Sequence, residues 1–317
     1  MEHPPASPSP VPCIAVVGTG LIGAGWAAFF LSRGCRVQAT DPAPGAEARL
    51  RDFVARAWPT LERLGCAPGA SPDRLRFDAD LAAAVAGAEF VQESGPERED
   101  LKVELFRRLD ALAAPDVLLA SSSSGLAMSV LQAGCAHPGR CVIGHPFNPP
   151  HLIPLVEVVG GRATAPEAVE RACAFYAGLG KRPIRLHREL PGHAANRLQA
   201  ALWREAVHLV DTGVLSVADA DAAVAWGPGL RWALMGPHLV FHLGGGAGGM
   251  EHFLAHLADP FARWWEDLGE PVLTPELRAK LVAGVRAEAG GRPIAELERE
   301  RDAALVALLA LRRRTPA

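Results

Sequence analysis

Apolar residues along this chain follow two rhythms, and the change between them falls near Pro191. From Cys13 to about Leu186, short apolar runs alternate with stretches in which apolar positions recur at helical spacing. CIAVVG, RVQATD, EFVQES, VLLASS, CVIGHP and PLVEVV are the strand candidates. Segments such as Gly23 to Arg33 and Arg98 to Ala114 between them are helix candidates. That alternation predicts an α/β domain built on a doubly wound, mostly parallel sheet. Pro42-Ala43-Pro44-Gly45 and Ser71-Pro72 punctuate it as loops.

After about Leu190 the pattern becomes helical throughout. ANRLQAALWREAVHLVDTG, VADADAAVAWG, EHFLAHLADPFARWWEDLG, TPELRAKLVAGVRAEAGG and PIAELERERDAALVALLALRRR follow one another without a convincing strand. The predicted organisation is a disordered tail over 1–12, a nucleotide-binding domain over 13–190 and an all-helical domain over 191–317. The glycine-rich run from His242 to Gly249 reads as a flexible loop between helices.

Composition narrows the class. A chain of 317 residues has ample material for two cores, and 49% hydrophobic with 21% charged residues is ordinary for a globular protein. A net charge of −3, with no basic stripe carrying interleaved aromatics, gives no footprint for nucleic acid. MEHPPASPSPVP lacks the apolar core of a signal peptide. The apolar run Ile14 to Leu31 holds four glycines, which argues against a membrane span. Six scattered cysteines without CxxC pairs read as reduced thiols, so a cytoplasmic location is expected. The histidines show no metal-ligand spacing, and no metal is expected.

Gly18-x-Gly20-x-x-Gly23 stands directly after one strand candidate and directly before a helix candidate. In that context the first glycine permits a tight turn and the second lets backbone approach a pyrophosphate. The third lets helix and strand pack closely. With Leu21 and Ile22 these residues form a Rossmann cofactor loop. Asp41 ends the next strand candidate, where a carboxylate accepts from both ribose hydroxyls and repels a 2′-phosphate. The expected cofactor is therefore NAD.

The stretch CVIGHPFNPPHLIPLVEVV poses a sharper question. Glu157 is embedded in an apolar strand, and an acid is costly to bury without a partner. Either it faces solvent from an edge, or its partner matters. His145 ends the preceding strand candidate, and strand ends at the carboxyl edge of a doubly wound sheet are where ligands bind. A carboxylate on one ring nitrogen would fix the tautomer and raise the basicity of the other. Such a histidine suits removal of a hydroxyl proton while hydride leaves for a nicotinamide.

GTGLIG, Asp41, ESGPE, SSSSGL, GHPFNP, PLVEVV and PGHAANR together resemble the 3-hydroxyacyl-CoA dehydrogenase superfamily over almost the whole chain. The resemblance implies that His145, paired with Glu157, moves the proton while Ser124 and Asn196 hydrogen-bond the reacting oxygen. It also implies Glu97, Lys102 and Ser122 near the cofactor, and a homodimer. Two departures stand out: Ser122 where the acyl-CoA enzymes have asparagine, and His193 where a large apolar residue is common.

DPAPGAEA, CAPGAS, DRLRF, ALWREA, GLRWALMG and IAELERERD are more similar to the free-acid branch, whose substrates are small 3-hydroxy carboxylates such as L-carnitine and L-gulonate. That branch implies L-carnitine first, L-gulonate next and a 3-hydroxyacyl-CoA third. A non-catalytic, crystallin-like NAD-binding protein is the alternative of a different class. Arg231 is a candidate clamp for a substrate carboxylate, beside Trp232. A trimethylammonium group is recognised by aromatic faces, for which Trp203, Trp226, Trp232, Trp264, Trp265, Phe241 and Phe253 are the supply. Core packing or an interface is the competing reading of those rings, and a dimer or domain contact that of Arg231.

Overall fold

The computed structural model describes residues 11–314, so the first ten positions of the expected tail lie outside the described residues. The chain divides into two units, Met1–Asn196 and Arg197–Ala317.

The first unit is built on one eight-stranded sheet in the order β3-β2-β1-β4-β5-β6-β7-β8. Its strands are β1 (Cys13–Val17), β2 (Arg36–Thr40), β3 (Leu75–Phe77), β4 (Phe90–Glu93), β5 (Leu118–Ser121), β6 (Cys141–Pro146), β7 (Leu155–Gly160) and β8 (Arg182–Arg185). Its helices are α1 (Leu21–Ser32), α2 (Ala46–Leu64), α3 (Leu81–Val85), α4 (Glu99–Leu112), α5 (Met128–Leu131) and α6 (Pro166–Gly178). Neighbours from β3 through β6 pair in parallel, β6 and β7 pair antiparallel, and β8 runs parallel to β7.

Strand β1 shows why its sequence is a continuous apolar run. Ile14 and Val16 enter the core on one face of the sheet, while Ala15 and Val17 enter the core on the other. Alternate side chains of a strand point to opposite faces, so a strand covered on both must be apolar at every position. On the first face the indole of Trp26 stacks on Phe30 at 5.1 Å and on Tyr176 at 5.5 Å. The second core gathers Phe106, Leu109, Leu119 and Met128. The edge strands β3 and β8, LRF and RPIR, fall outside the sequence expectation. Short, charged edge strands lack the apolar run that marks a central one, and their arginines keep the sheet from pairing with another edge.

The second unit is helical: α7 (Ala195–Asp211, which begins in the first unit), α8 (Val217–Trp226), α9 (Pro228–Trp232), α10 (Pro237–Gly244), α11 (Gly249–Asp267), α12 (Pro275–Ala289) and α13 (Ile294–Arg314). The glycine-rich run is more ordered than expected of a flexible loop. Helices reach Gly244 from one side and Gly249 from the other, leaving Gly245 and one 3-10 turn. The Nδ1 of His242 accepts the Met250 N–H at 3.0 Å, satisfying one of the free donors at the start of α11. Phe241 stacks on Phe253 at 4.7 Å and meets Phe261 edge-on, so these rings pack α10 against α11. All six cysteines are free thiols. Among the described residues no helix is long and apolar enough to cross a membrane, and no cluster of metal-ligating side chains occurs.

Candidate active site

The glycine loop joins β1 to α1. Gly18 has φ of +88°, a conformation a side chain rarely adopts, and a Cβ on Gly23 would lie 1.9 Å from the Gly18 carbonyl oxygen. A Cβ on Gly20 would meet nothing within 4 Å, so the N-terminus of α1 opens onto free space. No acidic residue occupies the first turn of that helix, which leaves its positive end uncompensated. Leu21 is exposed and Ile22 half-buried at this turn. The Asp41 carboxylate accepts from Thr19 N at 2.7 Å through Oδ2 and from Ala43 N at 2.8 Å through Oδ1. It is thereby held beside the glycine turn, with the space and polarity that a pyrophosphate and a ribose require.

At the end of β4 a second acid, Glu93, is fully buried. Its carboxylate accepts from Lys102 Nζ at 2.7 and 2.9 Å, from Ser121 Oγ at 2.5 Å and from Gly95 N at 2.6 Å. Sequence reasoning missed Glu93, and it cast Lys102 as a cofactor neighbour. The ammonium is buried in this pair, with Glu97 Oε2 at 3.8 Å. Glu97 organises the turn after β5, accepting from Ser123 Oγ at 2.6 Å, Ser124 N at 3.0 Å and Gly125 N at 2.8 Å. Burial tends to raise the pKa of Glu97. The Ser123 hydroxyl, the Gly125 N–H and the Lys102 charge outweigh it and hold the group below the ordinary carboxylate value.

Ser122 is the hub of a polar network. Its Oγ accepts from Trp26 Nε1 at 3.1 Å and from Gln92 Nε2 at 2.8 Å. With both lone pairs engaged, its proton goes to Ser94 Oγ at 2.9 Å. Ser124, two residues on, is exposed.

Antiparallel pairing sets His145 of β6 directly opposite Glu157 of β7. His145 Nδ1 lies 2.9 Å from Glu157 Oε2, and both residues are buried. Since a carboxylate only accepts, Nδ1 carries the proton, and in the neutral ring Nε2 has the lone pair. Glu157 has further partners that the sequence did not reveal: Oε1 accepts from Ala194 N at 2.8 Å and Ala195 N at 3.0 Å, at the entry to α7. Burial raises the pKa of Glu157, but the His145 and backbone hydrogen bonds more than compensate, so it stays below the usual range. Asn196, the second residue of α7, is half-buried. The acid, the histidine and the helix entry thus form one connected set in the first unit. Arg231 and Trp232 belong to the second unit, on the five-residue α9, and the Arg231 guanidinium has no protein partner among the described residues. Trp203 and Trp226 are exposed and make no ring contact among the described residues.

Family models carry this geometry to an identity. The NAD binding domain of 3-hydroxyacyl-CoA dehydrogenase matches residues 13–190, and the C-terminal domain of the same enzyme matches residues 192–285. The chain belongs to the 3-hydroxyacyl-CoA dehydrogenase family. It is an NAD-dependent oxidoreductase. The L-carnitine dehydrogenase of Streptomyces griseus is 54% identical over 312 residues, covering 98% of this chain and 93% of the relative. That of Pseudomonas aeruginosa is 51% identical, covering 96% and 94%. Among solved structures, an NAD+-dependent dismutase, 5-formyl-3-hydroxy-2-methylpyridine 4-carboxylic acid 5-dehydrogenase, is 31% identical. It superposes with a TM-score of 0.81, covering 96% of this chain and 99% of that one. The 3-hydroxybutyryl-CoA dehydrogenase of Escherichia coli K12 is 28% identical with a TM-score of 0.64, covering 86% of this chain and 57% of that one.

Proposed function

We propose that the protein oxidises the 3-hydroxyl group of L-carnitine, with His145 as the base. The observation that carries this reading is the buried His145–Glu157 pair in a family member whose relatives named L-carnitine dehydrogenase span nearly its full length. Bound NAD supplies the hydride acceptor. His145 Nε2, unprotonated while Nδ1–H is bonded to Glu157, receives the hydroxyl proton as the C3–H bond breaks. Glu157 stabilises the imidazolium that forms, and a positioned base of this kind contributes roughly 100- to 10,000-fold. Ser124 and Asn196 hydrogen-bond the reacting oxygen. Gly18, Gly20, Leu21, Ile22, Gly23 and Asp41 would hold the dinucleotide, with Glu97, Lys102 and Ser122 near it.

The helical unit selects substrate and dimerises. Arg231, whose guanidinium has no protein partner among the described residues, is the candidate clamp for a carboxylate, and Trp232 is a candidate aromatic face for a trimethylammonium. Exposed apolar side chains of that unit, Trp226 at 79%, Leu198 at 69% and Trp265 at 68%, support burial against a second copy. Six free thiols support a cytoplasmic setting.

The test is NADH formation with L-carnitine, D-carnitine, L-gulonate, L-3-hydroxybutyrate and its CoA thioester, with Arg231→Met run in parallel. L-carnitine should turn over fastest, and Arg231→Met should raise its KM by roughly 10-fold or more through loss of a charge-assisted pair. Faster turnover of the thioester would move the protein to the acyl-CoA chemistry. An unchanged KM in Arg231→Met would remove the clamp.

A further inference from the structure

His193 combines three observations that the proposed proton transfer does not use. It is the one non-glycine residue among those described with positive φ, at +50°, next to Gly192 at +75°. A left-handed backbone is strained for an L-residue, and such strain concentrates where a functional side chain must be held in place. Its ring is buried, 4.9 Å from the His145 ring between centroids and tilted by 42°. Its Nε2 lies 3.0 Å from the carbonyl oxygen of Ser123.

That last contact fixes a proton. A carbonyl only accepts, so Nε2 of His193 is an N–H donor, and Nδ1, buried without a partner among the described residues, carries the lone pair of the neutral ring. Burial pushes the His193 pKa below its ordinary value and the neighbouring His145 adds to this, against the Ser123 carbonyl, Glu157 and Glu97. The ring is therefore a neutral donor and adds no second cation beside His145.

The carbonyl it grips belongs to the Ser123–Ser124 peptide unit. The N–H of the same unit, on Ser124, donates to Glu97 Oε1 at 3.0 Å. The plane that carries Ser124 is thus held at both ends, by His193 at the oxygen and Glu97 at the nitrogen. The residues after His193 then donate their N–H groups to Glu157. One short segment reaches the Ser124 turn through a side chain and the histidine's acid through its backbone.

We infer that His193 is a positioning residue for the oxidation, fixing Ser124 relative to the His145–Glu157 pair by holding the Ser123 carbonyl. The inference rests on the role given above to Ser124, and the test separates the two. Initial rates would be measured for the parent, His193→Phe, Ser124→Ala and the double variant, with His193→Asn as a second probe. Phenylalanine keeps the ring volume and loses the N–H. Asparagine suits the left-handed backbone and retains a donor.

His193→Phe should lower kcat by ~10- to 100-fold with the KM for NAD within about threefold, because a misplaced hydroxyl affects the transition state more than cofactor binding. The double variant should lose no more than about threefold beyond Ser124→Ala, since residues acting as a unit are not additive. His193→Asn should recover part of the kcat lost in His193→Phe. A His193→Phe kcat within about threefold of the parent, with Ser124→Ala impaired, would overturn the inference alone. So would losses that multiply in the double variant. Should His193→Phe fail to fold, a His193→Asn kcat loss that multiplies with that of Ser124→Ala would overturn it equally. Full activity in Ser124→Ala would overturn both the role of Ser124 and the inference.

Discussion

Replacing Glu157 by glutamine alters the proton on His145 while leaving the volume of the core intact. The carboxylate holds His145 Nδ1–H on one oxygen at 2.9 Å and two backbone N–H groups on the other, at 2.8 and 3.0 Å. Glutamine can satisfy Ala194 and Ala195 only by turning its carbonyl oxygen to them. Its NH2 then faces His145 Nδ1 and selects the tautomer with the lone pair there and the proton on Nε2. In that tautomer Nε2 cannot accept the substrate proton. The opposite amide orientation sets NH2 against two N–H donors, which is worse.

The expected loss in kcat is that of a disabled, mis-tautomerised base, about 100- to 10,000-fold or ~3–5 kcal/mol in the barrier. KM for NAD should change little. Initial rates of NADH formation with saturating L-carnitine measure the first quantity, and a thermal melt at neutral pH checks that the fold persists. A kcat within about fivefold of the parent, with an intact melt, would refute the reasoning that Glu157 sets the state of the base. The pH dependence has a definite sign. Because the folded pKa of Glu157 is depressed, it contributes stability that is present above the ordinary glutamate value of 4.5 and lost as pH falls through the folded value. Acid melting below pH 4.5 should therefore be less steep in Glu157→Gln.

Other expectations follow from buried charges and from the cofactor loop. Lys102→Met leaves the Glu93 carboxylate buried with only Ser121 and Gly95, so it should cost about 3–5 kcal/mol in a urea melt, and an unchanged midpoint would contradict the pairing. Lys181, whose Nζ donates to the Pro150 and Ile153 carbonyls, is pushed by burial and by Arg33 from 10.5 down to about 7. The unfolded chain binds that proton first, so stability should rise with pH from about 7 to 10.5, and this rise should vanish in Lys181→Met. Asp41→Ala removes the support of Thr19 N and, on the proposed reading, a ribose acceptor, and should raise the KM for NAD by roughly 10-fold or more while narrowing the preference over NADP. Equal cofactor constants in parent and variant would take Asp41 out of the site.

Much of the fold is legible because local signals agree. The glycine spacing, the fully apolar central strands and the helical period after Pro191 each depend on residues near one another in sequence. The pairing of His145 with Glu157 follows from the cost of an unpartnered buried acid and from two adjoining strands. What the sequence conceals depends on which way side chains turn and on long-range approach. Glu93 looks like one more acid at a strand end until Lys102, nine residues on, is turned inward against it. The Ala194 and Ala195 N–H groups reach Glu157 from 37 and 38 residues away. The His193 ring reaches Ser123 across 70. β3 and β8 are invisible because edge position lets them be short and charged. The glycine run before α11 misleads for the opposite reason, because a side-chain cap from His242 lets helix start where composition alone argues for a loop.

The measurement that bears most directly on the central claim is a single turnover of L-carnitine deuterated at C3, with NAD, in the parent and in His145→Ala. The account predicts that the deuterium appears in the reduced nicotinamide of the parent, and that the rate falls roughly 100-fold or more without His145. Deuterium released to solvent, or an undiminished rate in His145→Ala, would contradict it.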